Sequence, residues 1–135
     1  MSLFFRTIFL LLLIAIAWYA GNIFYFHWLY WWYDVIMHVV SGACVAMAFF
    51  AVSGRYFDVR KTNTVLLGFV AVLVVGVVWE VFEVIVGYTF ASDGVFYWNV
   101  TISDMFADVS GGLFGTLYSF RFFESNNDKI ETNAQ

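Results

Sequence analysis

The sequence predicts an all-α integral membrane bundle of four transmembrane helices with both termini in the cytoplasm. Three observations carry that prediction. The 135 residues are 63% hydrophobic and only 12% charged, against about 45–50% apolar and about 25% charged in an ordinary soluble domain. Four apolar runs are each long enough for a bilayer, which needs about 20 residues of helix. The basic residues fall in alternate connections, as the positive-inside rule requires.

The first run is roughly residues 5–26. It follows Arg6 closely and passes small residues at Ala15, Ala17 and Ala20. That order also suits a cleaved signal peptide, but the apolar stretch continues through "NIFYF", which favours a retained first helix. The second run is roughly 32–52, the third 64–87 and the fourth 101–122. Hydrocarbon offers the backbone no hydrogen-bond partner, so each run must be helical despite its many β-branched residues. No proline is present to kink any of them. Residues 1–123 form one transmembrane domain on this reading, and 124–135 a polar, mobile cytoplasmic tail.

Orientation follows from the connections. Arg55, Arg60 and Lys61 fill the second connection, and Arg121 and Lys129 follow the fourth run. The first and third connections, "HWLYW" and "YTFASDGVFYWNV", contain no Lys or Arg. The second connection and both termini are therefore expected inside. The outer connections are aromatic, as expected of an anchoring belt at headgroup level, or more sharply of a stacking surface for a lipid or sugar. His27 lies in this belt and is expected to be interfacial rather than a ligand. Cys44 is a lone cysteine in an apolar run and reads as a small packing residue.

The formal charge of −4 is not an acidic surface. Five of the ten acids, Asp34, Glu80, Glu83, Asp104 and Asp108, lie inside or at the mouths of the apolar runs, and the other five face six bases. No basic patch suggests nucleic acid. A carboxylate at mid-helix in lipid costs about 3 kcal/mol unless it is paired or neutralised, so the five need a reason to be there.

Spacing supplies one. Asp34 and His38 are four apart, Glu80 and Glu83 three apart, Asp104 and Asp108 four apart, so each pair shares a helix face. At about 1.5 Å per residue, Asp34 and Asp104 lie about 4–5 Å below the outer end of their helices, His38 and Asp108 about 10 Å. Counted back from Gly87 on the antiparallel third helix, Glu83 is about 6 Å down and Glu80 about 10 Å. Three helices thus bring six ionisable groups to one layer in the outer half of the membrane. Ala107, Gly111, Gly115 and Ser119 form a small-residue row on the fourth helix that allows close packing.

Five carboxylates and an imidazole cannot coexist as free anions in a low dielectric. Either protons or cations must neutralise them. Facing helices with acids and a histidine at such spacings are how carboxylate-bridged metal pairs are built in helical bundles. Asp34, His38, Glu80, Glu83, Asp104 and Asp108 are therefore candidate metal ligands, for one or two divalent ions. A mostly oxygen donor set favours Mg, Mn, Ca or Fe, and zinc also fits histidine with carboxylates.

These residues carry a resemblance. Asp34-His38-Gly42, Trp79-Glu80 with Glu83, and Asp104-Asp108-Gly112 resemble the motifs of the VanZ-like and related YjdF-like membrane proteins over about residues 30–120. Glu83 stands where a VanZ-like pattern often has Gln, Asp108 where Asn is common, and no basic residue follows the first aspartate. These departures lean toward the YjdF-like side. The resemblance implies four spans and a bacterial cell-envelope role in the inner membrane; VanZ-like proteins are associated with reduced susceptibility to teicoplanin-type glycopeptides.

Three functions follow as expectations. The first is a metal-dependent enzyme acting on a lipid or lipid-linked envelope precursor, its partners being membrane lipids. No Lys or Arg stands in the outer half to hold a phosphate, so metal would have to do so. Ser41, Ser103 and Ser110 read as caps or packing residues, not nucleophiles. The second is a divalent-cation or proton transporter. The inner halves, such as "TVLLGFVAVLVV", contain no ionisable group, so a path would need a homo-oligomer. The third is a non-catalytic protein whose metal staples three helices. The sequon "NVT" at 99–101 reads as a helix start, with Thr101 capping and Asp104 three residues later.

Overall fold

The computed structural model describes the backbone of residues 2–133 and side chains as far as Ser125. It is all-helical. Helix α1 spans Leu3–Ile23, α2 Phe26–Leu29, α3 Trp31–Ser53 and α4 Thr62–Val86; a 3-10 turn at Ala91–Asp93 leads into α5, Val95–Asn133. Helices α1, α3 and α4 are long and apolar enough to cross a membrane. Among the described residues α5 does not reach that apolarity, because Asp104, Asp108 and its glycine, serine and threonine face dilute it. The side chains of most of the expected polar tail, 126–135, lie outside the described residues.

The helices alternate in direction. At one end Arg6 of α1 hydrogen-bonds Tyr118 of α5, and Arg60 before α4 pairs with Glu124 at 3.1 Å. At the other end Asn22 of α1 accepts a hydrogen bond from Tyr88 after α4. We call these the basic end and the aromatic end. A small apolar core of Leu3, Met47, Phe50 and Ala51 closes the basic end.

Helix α3 is the hub: it packs most extensively on α5 and also on α1 and α4. The α3–α5 pairing is backbone against backbone. A Cβ placed on Gly111 would strike the carbonyl of Val39, one on Gly115 the carbonyl of Ala43, and one on Gly42 the carbonyl of Asp108. The small-residue row does what its spacing implied, and Ser119 at its end is fully buried with its hydroxyl donated to Gly115 O at 2.7 Å.

Three boundaries differ from the sequence reading, one of them the far end of α5, which continues to Asn133 rather than stopping near 122. The first helix stops at Ile23 rather than 26, since Tyr25 adopts a left-handed conformation (φ 58°) and α2 begins beyond it. Helix α5 begins at Val95 rather than 101. Gly94 (φ 62°) makes the break, and no proline prevents the aromatic residues "VFYWNV" from joining the helix. Thr101 is consequently not a cap but a residue of the second turn. The end of α4 is as expected: Gly87 (φ 78°) closes it with Tyr88 N–H donating to Glu83 O and Gly87 N–H to Val84 O, the double bond of a Schellman motif.

Candidate functional site: a buried carboxylate and imidazole cluster

Helices α3, α4 and α5 turn their acidic faces toward one another near the aromatic end. His38, Glu80, Glu83, Asp104 and Asp108 are all at least nine-tenths buried. One donor atom each from Asp34, His38 and Glu83 fall within 4.8 Å of one another, and so do one each from His38, Glu80 and Asp104. His38 is common to both triads. Donors held at about 2.0–2.6 Å from an ion stand at most about 4–5 Å apart, so either triad has the separation of a coordination shell.

Asp108 takes a different place. Its Oδ2 lies 3.3 Å from His38 Nδ1, so it meets the ring rather than either triad. Its position on α5 is fixed by the backbone contact with Gly42 and by Gly76, where any side chain would strike Asp108 Oδ2.

The hydrogen-bond account is incomplete in an informative way. Glu80 Oε1, Asp104 Oδ2, Asp108 Oδ2 and His38 Nε2 are buried without a hydrogen-bond partner, the 3.3 Å approach of Asp108 Oδ2 to His38 Nδ1 being an ion-pair contact only. A buried polar atom left unpaired costs about 1–3 kcal/mol, more if charged, yet four converge on one layer. One oxygen each of Glu80, Glu83 and Asp34 is held. Thr101 Oγ1 donates to Glu80 Oε2 at 2.7 Å and Trp79 Nε1–H to Glu83 Oε1 at 2.9 Å. His27 Nδ1 lies 3.3 Å from Asp34 Oδ1.

These last three residues were not singled out as site residues by sequence. Trp79 precedes Glu83 by four, so helical spacing contained the signal. Thr101 shares the face of Asp104 and Asp108, three and seven residues on, but a capping role masked it. His27 is seven residues from Asp34 across a break in the helix, and no periodicity could connect them. It sits edge-on to Tyr33 at 5.0 Å, and Tyr33 in turn donates to Ala17 O at 2.6 Å. The aromatic connection is therefore a wall of the site. Ser110 is exposed, so it is neither cap nor packing residue, and its hydroxyl is given to Phe106 O at 2.8 Å.

Beside the cluster lies a cavity of about 400 Å³, bounded by α1, α3 and α4 with Asp108 of α5 at its back. Asp34, His38, His27 and Asp108 form its polar end. Leu11, Val45 and Val72 mark its apolar end.

No curated protein and no solved structure matches this chain. A family model described as a predicted membrane protein (DUF2238) does match, over residues 2–125. With three membrane-length helices and that match covering nearly its whole length, the chain belongs to the DUF2238 family of predicted membrane proteins.

Proposed function

We propose that the cluster is a divalent-metal site and that the protein is a metal-dependent enzyme of the bacterial cytoplasmic membrane, acting on a lipid or lipid-linked cell-envelope precursor. The observation that carries this reading is the convergence of unpartnered buried atoms, Glu80 Oε1, Asp104 Oδ2 and His38 Nε2, within two overlapping triads of ligand-like separation. Protonating one carboxylate would ease the repulsion and pair two of these atoms with each other, O–H to oxygen, whereas one ion at this separation can be ligated by all three.

Asp34, His38, Glu80, Glu83 and Asp104 would bind directly. Asp108 would hold the His38 ring from its Nδ1 side, as carboxylates commonly do for metal-ligating histidines. Trp79 and Thr101 would fix the outer oxygens of Glu83 and Glu80 in the same manner. Five carboxylates around one imidazole are better balanced by two divalent ions than by one, and the oxygen-rich set favours Mg, Mn, Ca or Fe, with zinc also compatible. Such an ion polarises a phosphoryl or carbonyl oxygen, or lowers the pKa of a water. The basic side chains within the described residues lie at the opposite end, so phosphate recognition at the cluster falls to metal.

The positive-inside pattern supports an extracytoplasmic position for the cluster, with α5 as a fourth span and both termini inside. Burial of its acidic face against α3 and α4 removes the main objection to α5 as a span. The motif likeness to VanZ-like and YjdF-like proteins supports an envelope role. A transporter is less well supported, because no Asp, Glu, His, Lys or Arg continues from the cluster toward the basic half of α1, α3 or α4 beyond Arg6. The second reading is a non-catalytic metal staple, favoured by the way one cluster joins three helices.

The test is elemental analysis of protein purified without chelator, beside Glu80→Gln and Asp104→Asn. One or two divalent ions per chain, lost in both variants, are expected. Well under one ion per chain, with thermal stability indifferent to EDTA, would end both metal readings. EDTA-sensitive change in the mass spectrum of added lipid-linked precursors, with the fold retained, separates enzyme from staple.

A further inference from the structure

We propose that the cavity between α1, α3 and α4 takes the hydrocarbon chain of one membrane lipid, which enters sideways between α1 and α4 and lays its headgroup against Asp34 and His38. This inference rests on the reading of the cluster as a site at headgroup level, and it assigns the binding site for the substrate's apolar part.

The cavity is graded along its length. Its ionisable side chains, His27, Asp34, His38 and Asp108, lie toward the aromatic end, and beyond Ser41 the walls are apolar. From Asp34 to Val45 is eleven residues of helix, about 16 Å. That is about half of a 30 Å hydrocarbon core, the depth available to a chain from a single leaflet. A volume of about 400 Å³ falls within the usual 300–1,000 Å³ of small-molecule sites.

This is not merely the outer surface of a membrane helix: half-buried Ile14 and Val45 line it, and the buried Cys44 and His38 lie at its back. Small residues open it: Ala15 on α1, and Ser41, Gly42 and Cys44 on α3. Water gains little from such apolar walls, whereas a lipid chain finds the medium it already occupies.

The opening is sideways because α1 and α4 each pack on α3 but not along each other. They meet at the aromatic end. There Trp18 stands edge-on to Trp79 at 6.3 Å and to Tyr88 at 6.5 Å, and Tyr88 hydrogen-bonds Asn22. These contacts form a lintel. Below it the seam is bordered by exposed Leu11 and Val75.

The experiment uses full-length protein in phosphatidylglycerol vesicles containing a trace of the same lipid with a photoreactive diazirine midway along one acyl chain. After irradiation, labelled residues are mapped by mass spectrometry. Expected is per-residue labelling at half-buried Ile14 and Val45 at least equal to that at outward-facing Ile16 and Val74. Ala15→Trp, which blocks the seam, and Val45→Phe, which fills the far end, should each cut interior labelling several-fold and leave Val74 unchanged. Label confined to outward positions, or interior label indifferent to both substitutions, overturns the proposal. Protection of Leu11 and Val75 together with the interior would mean that a second copy covers the seam, and overturns it equally. The same mapping on EDTA-treated protein and on Glu80→Gln keeps the two readings apart. Interior labelling without metal upholds the chain site and leaves the metal reading to elemental analysis; bound metal without interior labelling removes the chain site alone.

Discussion

Thr101 Oγ1 donates a 2.7 Å hydrogen bond to Glu80 Oε2 and thereby joins α5 to α4 at the level of the cluster. The other oxygen of Glu80 has no partner in the protein. Thr101→Val keeps the shape of the side chain and removes the donor, leaving a buried carboxyl group with neither oxygen bonded. The expected loss is about 1–3 kcal/mol of stability, the range for leaving a buried polar atom unpaired, and Thr101→Ser should recover most of it. Tryptophan-fluorescence melting of detergent-solubilised protein measures both. Equal melting temperatures for the valine and serine variants would reduce Thr101 to a packing residue.

Two glycines separate backbone contact from backbone conformation. At Gly111 a Cβ would collide with the Val39 carbonyl and come within 3.0 Å of Ala43 N, atoms that belong to a helix and cannot swing aside. At Gly87 nothing lies within 4 Å, and only the positive φ of 78° resists a side chain. Gly87→Ala should therefore cost about 1–2 kcal/mol, and Gly111→Ala distinctly more, because α3 and α5 must move apart and disturb the cluster with them. If Gly111→Ala proves the milder of the two in thermal unfolding, the close α3–α5 pairing is wrong.

How much of this was readable in the sequence depends on the range of the signal. Helical spacing placed Asp34 with His38, Glu80 with Glu83 and Asp104 with Asp108, and antiparallel counting brought the three pairs to one depth. Both rest on the 1.5 Å rise and the 3.6-residue turn, which lipid enforces strictly. The small-residue row likewise identified the face of α5 that packs. What escaped was whatever depends on connections. The position of Tyr25 in the left-handed region, the break at Gly94 and the earlier start of α5 are local conformational choices with no periodic mark. His27 meets Asp34 across the short α2 that follows the turn at Tyr25. The approach of Asp108 to His38 Nδ1 likewise depends on the α3–α5 register, which spacing along α5 alone does not give. The cavity was invisible for another reason: it exists where side chains are small on α1 and α3 at once, a property of the packed bundle and not of any one run.

The four-span reading makes opposite demands on two exposed residues. Tyr56, in the connection between α3 and α4, and Trp98, near the start of α5, lie at opposite ends of the bundle and are 74% and 60% exposed. On a Cys44→Ser background, Trp98→Cys should react with a membrane-impermeant maleimide in intact cells. Tyr56→Cys should react only after permeabilisation. Labelling of both positions in intact cells, or of neither, would remove the alternation on which the extracytoplasmic cluster depends.

The metal reading gives Asp108 and Asp104 different duties, and their amides should therefore behave differently. Asp104 belongs to a triad with His38 and Glu80 and keeps one buried oxygen without a partner, so Asp104→Asn removes a ligand and should abolish measurable binding. Asp108 meets His38 Nδ1 at 3.3 Å. In Asp108→Asn the ring keeps its Nε2 but loses the carboxylate that orients it, and losses of such partners typically weaken metal binding about 10–100-fold. Competition against a fluorescent chelator resolves that difference from complete loss. The ranking is what matters, since both substitutions remove one negative charge from the same buried layer and, on charge alone, would weaken binding alike. Equal loss would make Asp108 a ligand in its own right or reduce both to electrostatics. No loss in either would mean that protons, not cations, let these carboxylates share a membrane interior.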